Sequence, residues 1–157
     1  MTPPKAAALR ASPESSLAPA AARHGITRLI NRVRVELIDA LDRELAPYDI
    51  SAPQLIVLAS VASGEADSAA GLCKSISYDP GAMTRMIDRL EQKGLVRRIP
   101  HPEDRRATNL ELTVAGKALY PRLIGAKEAV TAQFLRGFSK DEIAMLEGFL
   151  LRMIANR

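Results

Sequence analysis

The stretch of residues 79–116 constrains the fold more than any other part of the chain. It contains one helix, an arginine-rich turn between two short β-compatible segments, and the start of a further helix. Asp79 is positioned to cap the first helix, and Pro80 suits its first turn because that turn needs no N–H donor. Gly94 is positioned to end the helix, since glycine readily takes the left-handed conformation. These signals predict a helix followed by a β-hairpin.

The helix that begins after Asp79 has two chemically different faces. One face is apolar at helical spacing and contains Met83, Met86, Ile87 and Leu90. The other face is small, polar or charged and contains Gly81, Ala82, Thr84, Arg85, Asp88 and Arg89. Such a helix beside an arginine-tipped hairpin is typical of proteins that place the helix in the DNA major groove and the hairpin in a neighbouring groove. The sequence therefore predicts a surface for double-stranded DNA.

Charge is unevenly distributed along the chain. The formal net charge is only +4, but basic residues outnumber acidic ones between residues 80 and 113. The basic residues there are Arg85, Arg89, Lys93, Arg97, Arg98, Arg105 and Arg106. A local cluster of this kind is typical of phosphate-binding surfaces, whereas charge alone also fits an ordinary solvated face.

Length and composition fit a globular protein of the cytoplasm. The 157 residues are enough for one domain or two small ones that share a core. Residues 1–20 are rich in Ala, Pro and Ser without the apolar segment of a signal peptide, so we expect a flexible tail. No apolar run reaches the roughly 18 residues of a membrane span, and the single cysteine fits a reducing compartment. We expect no membrane partner.

The sequence lacks the motifs of common enzyme and metal sites. It has no glycine-rich phosphate loop, no nucleophile elbow and no His–Glu zinc pattern. His24, His101 and the distant Cys73 do not have the spacing of metal ligands. We therefore expect no enzymatic activity and no cofactor.

Helical periodicity and capping signals predict further helices on both sides of the 79–116 stretch. They are expected at residues 18–46, 51–63, 68–76, 113–137 and 139–156. Pro47 is expected to stop the first of them, and Thr113 to cap the helix that follows it. Ser51 with Gln54, and Ser139 with Glu142, have the spacing of capping boxes. The predicted fold is mainly α with a small β-hairpin wing. It comprises a winged helix-turn-helix at about 48–113 and terminal dimerisation helices at about 21–46 and 114–156, within a single domain over 21–157.

The terminal helices need a surface on which to bury their apolar stripes. The first stripe contains Ile26, Ile30, Val33, Leu37, Leu41 and Leu45, and the last contains Ile143, Leu146, Leu150 and Met153. A two-fold homodimer of the terminal helices meets this need and presents two recognition helices to half-sites about one DNA turn apart. The alternative is a monomer whose terminal helices pack on its own core.

The chain resembles the MarR-type transcriptional regulators from about residue 24 to 155. The likeness is densest in two segments, MTRMIDRLEQKGLVRR and PEDRRATNLELTVAGKAL. It implies an obligate homodimeric winged-helix repressor that binds pseudo-palindromic operators and releases them when a small aromatic acid binds. It also implies that residues 68–76 and 79–93 are the two helices of the helix-turn-helix, with Arg105 and Arg106 at the wing tip.

Candidates for DNA contact follow from this arrangement: Ser77, Tyr78, Gly81, Thr84, Arg85, Arg89, Arg105 and Arg106. Arg85 is the first candidate for a base contact, because arginine can form a pair of hydrogen bonds with guanine. A phosphate contact or a salt bridge with Asp88 is the alternative. Arg89 fits either a DNA contact or an ion pair with a nearby acid.

The other candidates lie at the edges of the predicted recognition helix. Ser77, Tyr78 and Gly81 are near its start, where backbone N–H groups can meet a phosphate. One of the wing arginines, Arg105 or Arg106, can enter the minor groove.

The effector is the least constrained part of the interpretation. The start of the long first helix carries His24, Arg28, Asn31 and Arg32. The MarR-type likeness implies a pocket near this helix for an acid such as a hydroxybenzoate or hydroxynicotinate. A solvated helix or contacts between subunits are the alternative.

Two further alternatives concern function. Cys73 suggests redox sensing, but it shares the apolar face of Leu72 and Ile76, which predicts a small core residue. A winged-helix protein–protein adaptor that does not bind DNA is the other alternative.

Overall fold

The computed structural model describes residues 20–64, 68, 71–73, 79–100 and 108–156, with side chains from Gly25 onward. Its elements are α1 (Ala20–Leu45), a short 3-10 helix (Ala46–Tyr48), α2 (Ala52–Ser63), α3 (Pro80–Gln92), β1 (Val96–Pro100), β2 (Thr108–Leu112), α4 (Val114–Phe134) and α5 (Lys140–Ala155). The predicted mainly α fold with a small β-hairpin is confirmed. The chain divides into two units, residues 1–35 and 36–157, which are described in turn.

In the first unit, residues 20–35 form the N-terminal part of α1. Several apolar side chains are exposed there: Ile26, Leu29, Ile30, Val33 and Val35. Arg34 donates a hydrogen bond from Nη2 to Asn31 Oδ1 at 3.2 Å. The first half of the predicted apolar stripe is therefore available for contact with another surface.

In the second unit, hydrogen bonds fix the connection from α1 to α2. The sequence predicts that Pro47 stops the first helix, and α1 does end just before it, at Leu45. The chain then makes one 3-10 turn, Ala46–Tyr48, whose first positions tolerate proline. The predicted capping box of α2 is present, with the Ser51 backbone N–H donating to Gln54 Oε1 at 3.1 Å. Asp42 Oδ1 accepts the N–H of Ala52 at 2.5 Å. The last turns of α1 thus hold the start of α2.

The core of the second unit is a single apolar cluster to which α2, α3, the hairpin and α4 all contribute. Its buried residues are Leu45, Ile50, Leu55, Val57, Leu58, Leu72, Met83, Ile87, Leu90, Leu95, Val96, Leu110, Leu112 and Leu123. The predicted apolar face of α3 is confirmed, because Met83, Ile87 and Leu90 are buried. Met86 packs against the cluster. This packing leaves the opposite face of α3 outside.

β1 and β2 form an antiparallel two-stranded hairpin. Val96 pairs with Leu112, and Pro100 pairs with Thr108. Both strands lie within one residue of the bounds that the sequence predicts, 95–99 and 108–113. The predicted wing tip falls in residues 101–107, which lie outside the described part of the chain.

The last two helices begin with the predicted caps. Thr113 Oγ1 accepts the N–H of Gly116 at 3.0 Å at the start of α4. At the start of α5, Ser139 N donates to Glu142 Oε2 at 2.8 Å, and Glu142 N donates to Ser139 Oγ at 3.2 Å. No residue of α5 is buried, so its whole apolar stripe is accessible in a single chain.

The helix predicted at residues 68–76 is described only in part. Ser68 Oγ accepts the N–H of Gly71 at 3.2 Å, and residues 71–73 are helical. The remainder of that prediction lies outside the described residues.

Within the described ranges, no single helix is long and apolar enough to cross a membrane. One bent pair, residues 25–48 with 52–63, passes by length and composition alone.

Candidate nucleic-acid interface

The outer face of α3 combines a defined start with small and basic side chains. Asp79 Oδ1 accepts the N–H of Ala82 at 2.8 Å, which confirms the predicted cap. The Thr84 hydroxyl donates to the Pro80 carbonyl at 3.0 Å and keeps its oxygen lone pairs available. The predicted contact residues on this helix are all exposed: Gly81, Thr84, Arg85 and Arg89.

The end of α3 is equally well defined. Leu95 N donates to the Leu90 carbonyl at 3.0 Å, and Gly94 N donates to the Glu91 carbonyl at 2.9 Å. Gly94 has a φ of 70°, so the left-handed conformation predicted for it is confirmed. The two bonds form a Schellman motif, which satisfies the last carbonyls of the helix. Both ends of the helix are therefore fixed in position.

Arg85 is available for an external ligand. The alternative salt bridge with Asp88 is not formed, because Asp88 Oδ1 instead binds Arg98 Nη2 at 2.5 Å. Within the described part of the chain, neither the Arg85 nor the Arg89 guanidinium makes a hydrogen bond or an ion pair. On the outer face of α3, these two guanidinium groups thus have no partner among the described residues.

Arg98, by contrast, forms ion pairs within the chain. Its guanidinium binds Asp88 and Glu91, two acids one turn apart on α3. The hydrogen bond with Asp88 raises the pKa of the Arg98 guanidinium above its usual value, so the group stays charged. This interaction joins β1 to α3 and offsets part of the negative charge of the acidic side chains next to the exposed arginines.

Two more cations of the basic cluster have partners. Arg97 pairs with Glu111 across the hairpin. Lys93 Nζ lies 3.0 Å from Asp49 Oδ2 and also donates to the Asp49 carbonyl. Asp49 has a left-handed φ of 55°, and the lysine holds it against the end of α3. The described cluster therefore divides into free cations on α3 and paired cations around it.

The sequence analysis did not anticipate these paired roles. The pairing of Arg98 could have been predicted from the sequence. Asp88 and Glu91 are three residues apart and share one helix face, which an arginine of the following strand can reach. For Lys93 the sequence offers no comparable signal, since its partner Asp49 is 44 residues away.

Several predicted site residues lie outside the described part: Ser77, Tyr78, Arg105, Arg106 and the side chain of His24. The remaining effector candidates, Arg28, Asn31 and Arg32, are exposed on the first unit. Their role stays a prediction.

Two open clefts lie beside α3. The smaller, of about 250 Å³, lies between the start of α2 and the outer face of α3, and its lining includes Gln54, Arg85 and Arg89. The larger, of about 450 Å³, also contains Gln54 and Arg89, together with Lys93 and Asp49. A small anion in the smaller cleft would contact the same arginines that face outward.

Cys73 has the position expected of a small core residue. It is half-buried and packs against the apolar cluster. Among the described residues, no group of three or more His, Cys, Asp or Glu side chains is placed to hold a metal ion.

Comparison with known proteins identifies the family. A sequence profile of the MarR family matches residues 50–108, which include α2, α3 and β1. The chain is 35% identical over 130 residues to the multiple antibiotic resistance protein MarR of Escherichia coli, covering 81% of this chain and 89% of that protein. The chain belongs to the MarR family of transcriptional regulators.

Further relatives agree with this assignment. The HTH-type transcriptional repressor MdtR of Bacillus subtilis is 27% identical over 115 residues, which is 73% of this chain and 72% of MdtR. A crystal structure of a cysteine-to-serine mutant of Escherichia coli MarR complexed with operator DNA has a TM-score of 0.76 at 32% identity, covering 87% of this chain and 99% of that one. MarR-family members regulate transcription and are not enzymes, as the sequence predicts.

Proposed function

We propose that the protein is a homodimeric cytoplasmic repressor that binds a pseudo-palindromic operator and releases it when a small aromatic carboxylate binds. The observation that carries DNA binding is Arg85, exposed beside Thr84 on α3 and without an intramolecular partner among the described residues. Guanine offers two acceptors in the major groove, which suit a free guanidinium. The operator complex of Escherichia coli MarR supports the same use of the fold.

The dimer is proposed from the exposed apolar surface of α5. That surface consists of Met145, Leu146, Phe149, Leu150, Leu151, Met153 and Ile154. A contiguous apolar face on one helix is typical of an interaction surface. We assign the terminal helices, about residues 21–46 and 114–156, to dimerisation and about 48–113 to DNA binding, within a single domain over 21–157.

The first experiment tests sequence-specific DNA binding. The wild-type protein is used to select duplexes from a randomised library, and the recovered operator is titrated with wild type, Arg85→Ala and Arg97→Ala. Losing a paired base contact is expected to weaken Arg85→Ala by about 1–3 kcal/mol and to relax the preference at one base step. Arg97→Ala is the matched control, because Glu111 already holds that guanidinium. If no sequence is enriched, or if both folded variants bind like wild type, the proposal fails.

A second titration concerns the predicted wing. Arg106→Ala is expected to weaken binding most on operators with A·T-rich flanks, because a narrow minor groove concentrates negative potential. The same loss on G·C-rich flanks would contradict insertion of this arginine into the minor groove.

The aromatic carboxylate is proposed mainly from the family resemblance. The basic start of the first helix, with His24, Arg28 and Arg32, is one candidate site. The cleft of about 250 Å³ beside α3, with Arg85 and Arg89, is the other. The two sites predict different mechanisms. A ligand on α3 competes directly with DNA, whereas a ligand at the first helix acts by favouring a dimer whose recognition helices miss the half-sites.

A panel of hydroxybenzoates and hydroxynicotinates titrated against the protein–operator complex tests this proposal. Tenfold release requires about 1.4 kcal/mol of coupling, and DNA must weaken ligand binding by the same factor. Loss of response in Arg28→Ala supports the first-helix site, and loss of ligand binding in Arg89→Ala supports the cleft. If no acid acts, while an oxidant releases the operator only when Cys73 is present, redox sensing replaces this proposal.

A further inference from the structure

The end of α3 is bonded to the start of α4 through a single threonine. Thr113 N donates to the Leu95 carbonyl at 3.1 Å, and Thr113 Oγ1 donates to the Gly94 carbonyl at 2.5 Å. The same oxygen accepts the N–H of Gly116 at 3.0 Å. One side chain therefore caps α4 and binds the residue that ends α3.

Gly116 brings the start of α4 into direct contact with the backbone of Leu95, just after the end of α3. A Cβ atom at this position would lie 2.1 Å from the Leu95 carbonyl oxygen and 3.0 Å from the Leu95 carbonyl carbon. Both atoms belong to the backbone, so a rotamer change cannot relieve the clash. Any side chain at residue 116 therefore requires the start of α4 and the backbone at Leu95 to move apart.

We propose that these four residues, Gly94, Leu95, Thr113 and Gly116, form a joint that positions the recognition helix relative to α4 and thereby sets the half-site spacing that the dimer reads. The inference rests on the proposed function, in which α4 belongs to the dimerisation part. Thr113 and Gly116 are positioning residues, because they contact the end of α3 and not its exposed face.

Because of the position of the joint, a small rotation there moves the DNA-contacting end of α3 by a larger distance. The joint lies at the C-terminal end of α3, whereas Gly81, Thr84 and Arg85 lie in the first turns of that helix. The 13 residues of α3 correspond to a length of about 20 Å. A rotation of about 10° at the joint moves the far end by about 3.5 Å, close to the rise of one base pair. A small change at the joint therefore alters the register on DNA.

The buried face of α3 does not involve the hydroxyl of the joint. Met83, Ile87 and Leu90 belong to the apolar cluster and Thr113 does not, so we expect this face to stay buried when the hydroxyl is removed. Thr113→Val keeps the β-branched shape and deletes the two hydrogen bonds of Oγ1. Thr113→Ser keeps the hydroxyl and serves as the conservative control. Gly116→Ala tests the same joint by steric separation.

The experiment uses the operator selected by the wild-type protein and versions with one base pair added or removed between the half-sites. A displaced half-site loses base contacts that are each worth about 5- to 150-fold, so wild type is expected to prefer the selected spacing by about tenfold or more. Thr113→Val and Gly116→Ala are expected to reduce this preference to about threefold or less, or to transfer it to another spacing. Thr113→Ser should retain the wild-type preference. Sedimentation confirms that each variant is a folded dimer.

Two results overturn the joint. Both are measured on folded Thr113→Val, so they remain decisive even if Gly116→Ala does not fold. The first result is an unchanged spacing preference. The second is an equal loss of affinity on all three spacings, which is expected for a purely structural role. Failure of the wild-type protein to select any operator contradicts the proposed function itself, so the two failures are distinguishable.

Discussion

The winged-helix part and α5 use their apolar side chains in opposite ways. In the winged-helix part, Leu58, Met83 and Leu90 are at most 1% exposed. On α5, Leu150 is 43% exposed and Phe149 is 52% exposed, and no residue of the helix is buried. Large apolar residues make up a greater share of α5 than of the winged-helix part, so the exposure of α5 does not follow from a lack of apolar residues. The winged-helix core is buried within one chain, whereas the apolar side chains of α5 are exposed in it.

The polar contacts of the winged-helix part and of α5 also differ. Around α3, in addition to its local hydrogen bonds, ion pairs join separate segments, as in Arg98 with Asp88 and Lys93 with Asp49. At α5, the side-chain hydrogen bonds among the described residues are local, between Ser139 and Glu142. Helices of this length are marginal in water without tertiary packing. In the proposed dimer, α5 is stabilised by assembly, whereas α3 is stabilised by the fold of its own chain.

The largest effect is expected from charge on the apolar face of α5. Leu146 and Leu150 lie one turn apart on the same side of the helix. In Leu146→Glu/Leu150→Glu, each uncompensated buried charge in the dimer costs about 3–5 kcal/mol. Sedimentation should then give the 17.0 kDa chain mass in place of twice that value, with loss of operator binding.

Ile56→Glu is the matched control for this variant. Ile56 is 46% exposed on α2, outside the helices assigned to dimerisation, so its substitution should leave the dimer intact. A doubly substituted protein that remains a dimer would show that α5 is not the interface.

Core truncation should have the next largest effect and a different concentration dependence. Leu58→Ala removes a fully buried side chain and is expected to cost about 2–5 kcal/mol of folding free energy. The free-energy loss should be the same at all protein concentrations, because the cavity forms within one chain. The loss in Leu150→Ala should shrink as concentration rises, since association offsets it. Thermal melts over a hundredfold concentration range, about 0.5 to 50 μM, distinguish the two variants. If both variants show the same dependence on protein concentration, the proposed difference between the core and α5 is contradicted.

Sequence analysis succeeded where the determining contacts are local. Asp79 and Ser139 were predicted as caps because their bonding partners lie three residues ahead. The left-handed Gly94 was predicted because only its own backbone conformation is involved. In the same way, the spacing of Met83, Ile87 and Leu90 placed α3 correctly and defined which face stays outside.

The parts that sequence analysis did not predict depend on non-local proximity. The basic cluster was treated as one surface, yet Arg97 and Arg98 are bound by acids that the hairpin register and the α3–β1 turn bring near them. The contact of Gly116 with Leu95 likewise requires the end of α3 and the start of α4 to meet. Periodicity reports which face of an element is buried, but not which distant side chain lies against it.

A smaller effect is expected from removing the tertiary ion pairs of Arg98. Partly exposed pairs contribute little individually, so Arg98→Gln should cost about 1 kcal/mol or less of folding free energy. It also leaves Asp88 and Glu91 unpaired near Arg85, where their charge repels phosphate. Operator affinity should therefore fall by about three- to tenfold, with the largest deficit at low salt.

Arg97→Gln is the control for Arg98→Gln. It removes the same charge, but its partner Glu111 lies on the hairpin instead of on α3. Equal losses of operator affinity in the two variants would mean that net charge, and not the contact of Arg98 with α3, determines the effect.

The smallest effect is expected at the local cap of α5. The hydrogen bond from the Ser139 backbone N–H lowers the pKa of the Glu142 carboxyl below its usual 4.5. Between the lowered and the usual value, the folded chain binds fewer protons than the unfolded chain, so stability rises with pH there. The contribution is fully present above the usual value and is lost as pH falls through the folded-state value. Melting temperatures of wild type and Glu142→Gln should therefore converge as the pH is lowered from 6 to 3, about three units spanning the carboxyl titration. Glu147→Gln, a substitution on the same helix away from its cap, should not show this convergence; if it does, the pH dependence of α5 does not arise from its cap.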